Sequence, residues 1–257
     1  MILLQSIQFL RDEEEGYPYS LSFFNQEVSF TSPITILIGD NGSGKSTFLE
    51  LIRSKLDLFQ IGTPYQYPKA VRCKMKYTLQ KPKGFYFSSE DFTTYIHELE
   101  KEKRWSKTEL ERIDEEYAHR SALAKTLASM PHKRTIHEIE SLHSRPLLES
   151  SHGEAYLSFF QSRMREKQLI LLDEPETPLS FQNQMALLYL LKQTIDSNSQ
   201  LIIATHSPVI MAYPGAEILQ FTKEGLQKIH YQEIEQLQSL KQFLNHPDQY
   251  FRHLFQE

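Results

Sequence analysis

Three short runs of apolar residues stand out along the chain, Ile34 to Ile38, Leu169 to Leu172 and Leu201 to Ala204, none alternating cleanly with polar positions. The first leads into Ser46 to Phe59, where Phe48, Leu49, Leu51, Ile52, Leu56 and Phe59 recur on a helical period, with Gly62 and Pro64 as the stop signal. The second leads into a helix from Phe181 to Asp196. Continuous apolar strands interleaved with helices predict a parallel sheet covered on both faces. The flanks read differently. Met1 to Leu10 mixes apolar and polar residues as a half-buried strand does, Arg11 to Gly16 is a charged turn, and further strands are expected at Tyr19 to Phe24 and Val28 to Phe30. The chain therefore opens with antiparallel β-structure.

Gly84 to Ser89 predicts another strand, and Asp91 to about Leu142 is helical in pattern and dense in charge. Trp105, Leu110, Ile113 and Tyr117 fall on one apolar stripe, and Pro131 is expected to interrupt the helix. Residues 91–145 thus read as a helical insertion, a lobe within a single domain spanning 1–257. A helix from Glu154 to Arg165 follows it. Ile218 to Phe221 and Leu226 to Tyr231 form a hairpin pattern, and helices near Glu233 to Leu244 and Asp248 to Phe255 close the chain. The fold class is α/β, with a mainly parallel core sheet.

Composition narrows the class. At 257 residues there is room for one substantial α/β domain with an insertion, too little for two full nucleotide-binding units. A net charge of -5 argues against coating nucleic acid over the whole surface. The single cysteine, Cys73, excludes an intramolecular disulfide and fits a reducing compartment. The longest apolar stretches fall short of the roughly 20 residues that cross a bilayer, and the opening Met-Ile-Leu-Leu reads as a strand rather than a leader. The expectation is a cytoplasmic chain without a membrane segment.

The chemistry begins at Gly39 to Thr47, GDNGSGKST, directly after the first apolar run. Gly39, Gly44, Lys45 and Ser46 occupy the fixed places of a phosphate loop, with Asn41, Gly42 and Ser43 between them and Thr47 behind. Glycines let successive backbone N–H groups turn towards phosphate oxygens, and the helix that follows offers its positive N-terminal end to the same anion. Lys45 is suited to neutralise β- and γ-phosphates, and the Ser46 hydroxyl to ligate Mg²⁺. A Gly/Ser turn with no ligand would use similar residues but would not need the Lys-Ser pair at this spacing.

Asp173 and Glu174 end the second apolar strand, at the edge where open α/β sheets bind their ligands. Asp173 is suited to hold Mg²⁺, and Glu174 to polarise the water that attacks a γ-phosphate. His206 ends the next strand and falls at the same edge, where it is placed to hydrogen-bond that phosphate. Tyr17, Tyr19 and Phe24 are candidates to stack on an adenine, although aromatics at such places usually pack beneath a sheet. From Lys69 to Lys83 there are six basic and no acidic residues; a solvated edge strand explains this as readily as a nucleic-acid contact.

With these residues in place, GDNGSGKST, LILLDEPETPLS and IIATHSPVI resemble the Walker A motif, the Walker B motif with D-loop, and the H-loop of ABC-type ATPases. The likeness is to the soluble branch that includes recombination, chromosome-maintenance and break-repair ATPases, and within it to small stand-alone bacterial AAA or ABC-like ATPases. It spans most of the chain, including the FLNHPDQYFRHLF ending, and is weakest across the helical insertion.

The resemblance implies an ABC-type phosphate-loop fold, ATP and Mg²⁺ as ligands, and hydrolysis between two chains of a head-to-tail homodimer. It places the family's signature at Ser151, His152 and Gly153, with His152 standing where a glycine is usual. The D-loop falls at Leu179-Ser180, where Leu-Asp is common, and the Q-loop position at Ser89, Glu90 or Gln80. For the output, the absence of a second catalytic constellation in the sequence motivates an alternative to a plain ATPase switch, an interaction module whose ATP-driven dimerisation controls a protein effector such as a nuclease or toxin, with direct DNA engagement ranked behind it.

Overall fold

The computed structural model describes residues 1–11, 15–60, 71–141 and 152–255. Among the expectations above, part of the Arg11 to Gly16 turn, Gly62 and Pro64, Lys69, the end of the insertion and Ser151 lie outside these residues.

A seven-stranded sheet forms the centre, in the order β10-β9-β3-β8-β7-β6-β4. Its middle is parallel: β3 (Ile34–Ile38) lies between β8 (Gln200–Ala204) and β9 (Glu217–Thr222), and β7 (Leu169–Asp173) lies between β8 and β6 (Gly84–Ser88). The two-residue β4 (Phe59–Gln60) closes one edge, and β10 (Gly225–Ile229) forms the antiparallel hairpin with β9 at the other. Every residue of β3, β7 and β8 is buried, which is why these strands carry no polar face to alternate with.

The two faces of that sheet support separate cores. Leu37, Leu169, Leu171, Ile202 and Ala204 pack with α1 (Lys45–Leu56) and with a second, three-stranded sheet. That sheet has the order β2-β1-β5, all antiparallel, from β1 (Leu4–Leu10), β2 (Glu27–Ser29) and β5 (Arg72–Tyr77). Ile36, Ile38, Ile170, Leu172 and Ile203 point to the opposite face, against Leu187 and Leu191 of α5 (Phe181–Asp196) and the aromatic side of α4 (His152–Arg163). The two-residue period of the strands thus divides the apolar residues between two cores. Each fully buried Leu or Ile contributes roughly 1.5–3 kcal/mol, so a one-residue slip of register would be strongly opposed.

A buried glutamine joins the two sheets. Gln200 opens β8, and its Oε1 accepts from the N–H groups of Leu3 and Leu4 at 2.8 Å each, while its Nε2 donates to Leu4 O at 3.1 Å.

Two segments differ from the sequence expectation. Residues 19–24 form turns instead of a strand, with Ser20 N donating to Gly16 O and Leu21 N to Pro18 O. Tyr19, Phe23 and Phe24 are all buried, and Phe9, Phe48 and Phe221 surround Phe23. That spacing of buried rings suits a coiled turn rather than the alternation of a strand.

The other difference concerns the helical segment. It is two helices, α2 (Ser89–Glu116) and α3 (Ala122–Ser141), and Pro131 lies inside α3; the chain reverses at 117–121. Lys103 pairs with Glu140 at 2.9 Å and Lys125 with Asp114 at 3.1 Å, so the helices run antiparallel. Of the expected stripe, Ile113 is buried between them and Trp105 is exposed, its ring edge against His132.

After β8 come a short helix, α6 (Pro208–Met211), and then, beyond the hairpin, α7 (Glu235–Asn245) and α8 (Pro247–Leu254).

Candidate active site

The phosphate-loop residues connect β3 to α1. Gly44 takes the N-cap place of α1 with φ 99°, and Gly42 has φ 77°, both in the left-handed region that favours glycine. The Lys45 ammonium donates to Gly39 O at 2.8 Å and Asp40 O at 3.1 Å, closing the loop on itself. Burial pulls the Lys45 ammonium below the ordinary lysine range, and the carboxylates of Glu174, Asp173, Asp40 and Glu176 oppose that pull. A cavity of about 420 Å³ opens over the loop, lined by Asn41, Gly42, Gly44, Lys45, Ser46 and Thr47 together with Tyr17, Leu21 and Glu174.

Asp173 is the last residue of β7 and is buried. Its carboxyl group is pushed up to about 6 by burial and by Glu174, while hydrogen bonds from Ser46 and Tyr86 act the other way. Asp173 Oδ1 is buried without a hydrogen-bond partner. A buried carboxylate oxygen without a donor, beside a serine hydroxyl already bonded to the same carboxylate, is the donor set that a hard divalent cation needs. The Ser46 hydroxyl and the Asp173 carboxyl group therefore fit a hard divalent cation such as Mg²⁺.

Glu174 continues the strand line, its N–H donating to Ala204 O at 2.9 Å, then turns sharply with φ 48°. A non-glycine residue in that region is held there by its surroundings, a form of local strain that is found at reactive positions. Its Oε1 lies 3.9 Å from His206 Nε2, and both side chains are partly open to solvent. His206 follows β8 and Thr205, whose N–H extends the ladder to Leu37 O at 3.2 Å. The ends of β3, β7 and β8 thus bring Lys45, Ser46, Asp173, Glu174 and His206 to one edge of the sheet.

Other expected residues separate at this point. Tyr17 lines the cavity with its ring exposed and its hydroxyl 3.0 Å from Thr47 Oγ1, whereas Tyr19 and Phe24 are buried in the core. Ser88 pairs with Asp173, so Ser89 and Glu90, opening α2, follow the strand end nearest Asp173. Gln80 precedes the other end of the strand, where Gly84 pairs with Leu169, and lines a separate cavity with Arg165 and Gln168. His152 and Gly153 are the first two residues of α4. Ser180 is the N-cap of α5, its Oγ accepting from Asn183 N.

Comparison with known proteins adds an independent line. A family model described as "AAA domain, putative AbiEii toxin, Type IV TA system" matches residues 96–212, which include Asp173, Glu174 and His206. A probable ABC transporter ATP-binding protein of Cyanophora paradoxa is 27% identical over 200 residues, 74% of this chain and 75% of that protein. An ABC transporter ATP-binding protein of Haemophilus influenzae is 31% identical over 122 residues, 46% of each chain. The crystal structure of a nucleotide-free ATP-binding cassette from an ABC transporter superposes with a TM-score of 0.50 at 14% identity, covering 93% of this chain and 96% of that one. These matches support an ABC-like P-loop ATPase, and the superposition gives the fold.

Two side chains of this candidate site escaped the sequence reading. Tyr86, in mid-β6, donates to Asp173 Oδ2 at 3.2 Å, and its phenol is pushed far above the usual tyrosine range by burial and by Asp173. Glu176 accepts from the N–H groups of His206 at 2.7 Å and Ser207 at 3.0 Å. Only the third acid of DEPE, two residues beyond Glu174, hinted at it.

Proposed function

We propose that this ATPase is a switch: two chains meet head to tail, and each ATP is held between the phosphate loop of one and the Ser151, His152 and Gly153 segment of the other. The observation that carries the reading is the convergence of Lys45, Ser46, Asp173, Glu174 and His206 on one sheet edge, beside a loop built for phosphates. The backbone N–H groups from Gly39 to Thr47 and the Lys45 ammonium bind the phosphates. Ser46 and Asp173 would hold Mg²⁺, which would supply positive charge to the phosphate groups. Glu174 accepts a proton from the attacking water, and His206 donates a hydrogen bond to the γ-phosphate.

Support for the trans half comes from the resemblance and from the position of His152 and Gly153 at the start of a 12-residue helix, whose N-terminal N–H groups favour an anion. Hydrolysis measured against protein concentration tests both halves. Glu174→Gln should lower turnover by on the order of 100-fold or more, and Lys45→Ala should abolish it; wild-type activity in Lys45→Ala overturns the assignment. Ser151→Arg should leave ATP binding intact and prevent turnover. Turnover per chain that stays constant below the measured dissociation midpoint overturns the shared site.

An apolar stripe favours a second role, control of a protein partner by the same cycle. Leu123, Leu127 and Met130 lie at helical spacing on α3 and are all more than half exposed. The partner on this reading is an effector such as a nuclease or toxin, and the family model's description is consistent with it. Direct DNA binding ranks behind, because Lys76 and Lys81 of the basic stretch already pair with Glu27 and Asp57. Pull-down with Glu174→Gln in ATP and Mg²⁺, analysed for protein and nucleic acid together, separates these outputs; an effector retained only with ATP supports the partner reading, and nucleic acid alone overturns it. No helix among the described residues is long and apolar enough to cross a membrane. A cytoplasmic location is part of this proposal.

A further inference from the structure

Glu174 and His206 stand on different loops, and both side chains are partly open to solvent. What fixes one loop against the other is a side chain to which the reading above gives no role. Glu176 belongs to the turn that follows β7, where Thr177 N donates to Glu174 O at 3.2 Å and Leu179 N to Glu176 O at 2.8 Å. From that turn its carboxylate crosses 30 residues of sequence to the loop after β8. One oxygen, Oε1, takes both the His206 N–H at 2.7 Å and the Ser207 N–H at 3.0 Å. The other, Oε2, is buried without a hydrogen-bond partner.

The surroundings hold the receiving loop as firmly. Ser207 Oγ caps α6 by accepting from Val209 N at 3.1 Å and Ile210 N at 3.3 Å, and donates to Gln184 Oε1 at 2.7 Å. Gln184 Nε2 returns to Leu179 O at 3.2 Å, in the turn that holds Glu176. The loop bearing His206 is therefore attached twice to the turn that begins at Glu174, and the attachment nearer to the histidine is a carboxyl oxygen on its own backbone N–H.

We propose that Glu176 is a positioning residue for hydrolysis: by holding the His206 and Ser207 backbone, it sets the His206 imidazole opposite Glu174, at the place a γ-phosphate would occupy. This inference rests on the reading of His206 as a γ-phosphate contact. It makes a distinction that a plain cap on α6 would not. Both N–H groups bond to one oxygen, so a glutamine whose carbonyl takes that place keeps both bonds, and an alanine keeps neither. The hydrogen bonds, not the charge, carry the role.

The experiment is steady-state ATP hydrolysis with Mg²⁺ by the full chain, wild type against Glu176→Ala, Glu176→Gln, His206→Ala and the Glu176→Ala/His206→Ala double variant. Glu176→Ala should lower kcat by on the order of 100-fold, the cost of a misplaced catalytic contact, with KM within about 3-fold of wild type because the phosphate loop is untouched. Glu176→Gln should recover most of that loss. In the His206→Ala background, Glu176→Ala should cost less than about 3-fold more, because two residues acting through one contact are not additive.

A wild-type kcat in Glu176→Ala alongside a slow His206→Ala overturns this inference alone. So does a full additional loss in the double variant, or a Glu176→Gln as slow as the alanine. A wild-type rate in His206→Ala overturns the underlying reading of the histidine, and this inference with it. Should Glu176→Ala unfold below the assay temperature, Glu176→Asp, whose carboxylate ends one methylene short, takes its place with the same pattern of outcomes.

Discussion

Tyr86 donates its phenol hydrogen to Asp173 Oδ2 at 3.2 Å from within the sheet, from the strand β6 that pairs with Asp173's own strand β7. The bond partly compensates a carboxylate that the fold buries before any cation reaches it. Burial raises Asp173 from 3.8 to about 6, and Ser46 and Tyr86 offset only part of that rise. Two pH units correspond to about 3 kcal/mol of penalty on the charged form, taken as an order of magnitude.

The sign of its effect on stability follows from linkage. A carboxyl group whose folded value lies above its unfolded value binds more protons when folded, so stability falls as pH rises from about 4 to about 6 and stays reduced above that. Asp173→Asn should therefore stabilise the nucleotide-free protein at pH 8, by about 1–3 kcal/mol, while abolishing Mg²⁺-dependent turnover. The gain should shrink as pH falls through 6 and vanish near pH 4. Thermal unfolding without nucleotide across that range measures it; a destabilised Asp173→Asn at pH 8 contradicts the expectation.

Gln200 satisfies three backbone groups of the first strand's entry from a fully buried position. Replacing it by leucine keeps the volume and leaves those groups without partners, at a cost of about 1–3 kcal/mol for each one that stays dry. Gln200→Leu should lower stability by roughly 3 kcal/mol or more, read as a lowered urea midpoint. An unchanged midpoint would mean that the two sheets do not depend on this contact.

Gly84 begins β6 opposite Leu169, and a methyl group there would fall 1.8 Å from Leu169 O. No side chain can yield, because the obstacle is backbone. Gly84→Ala should cost about 3 kcal/mol or more by forcing the β6–β7 pairing apart. Gly215→Ala makes the control: its φ is +76° but nothing lies within 4 Å, so only strain of roughly 1–2 kcal/mol is expected. Equal losses in the two variants, read by chemical denaturation, would contradict the close-approach argument.

Tyr17 offers an exposed ring at the mouth of the phosphate-loop cavity while its hydroxyl contacts Thr47. Stacking of a base on such a ring is worth about 1–3 kcal/mol. Tyr17→Ala should raise the Kd for ATP by about 10-fold or more, and Tyr17→Phe should leave it within about 2-fold. Inorganic triphosphate should bind both variants as it binds wild type; an equal loss for triphosphate would show that the ring does not hold the base.

Local rules account for much of the molecule. Apolar runs without alternation marked β3, β7 and β8 because strands buried on two faces have no polar side to show. The helix from Phe181 to Asp196 is found with those same limits. Where local rules failed, packing had overridden them. Pro131 stays within α3, where contacts such as Lys103 with Glu140 hold that helix against α2, and the rings of residues 19–24 close a core instead of alternating along a strand.

The sequence by itself determined the phosphate loop, the tandem acids Asp173 and Glu174 and the histidine at the next strand end, because glycine conformation, strand burial and residue order are local properties of a chain. The tertiary structure alone decided that Tyr86 serves Asp173, that Glu176 holds His206, that Gln200 joins the two sheets and that Tyr17, not Tyr19 or Phe24, faces the cavity. Those contacts span 87, 30 and 197 residues for the first three. A hydrogen bond is set by where two backbones arrive in space, and no spacing along the chain encodes that arrival.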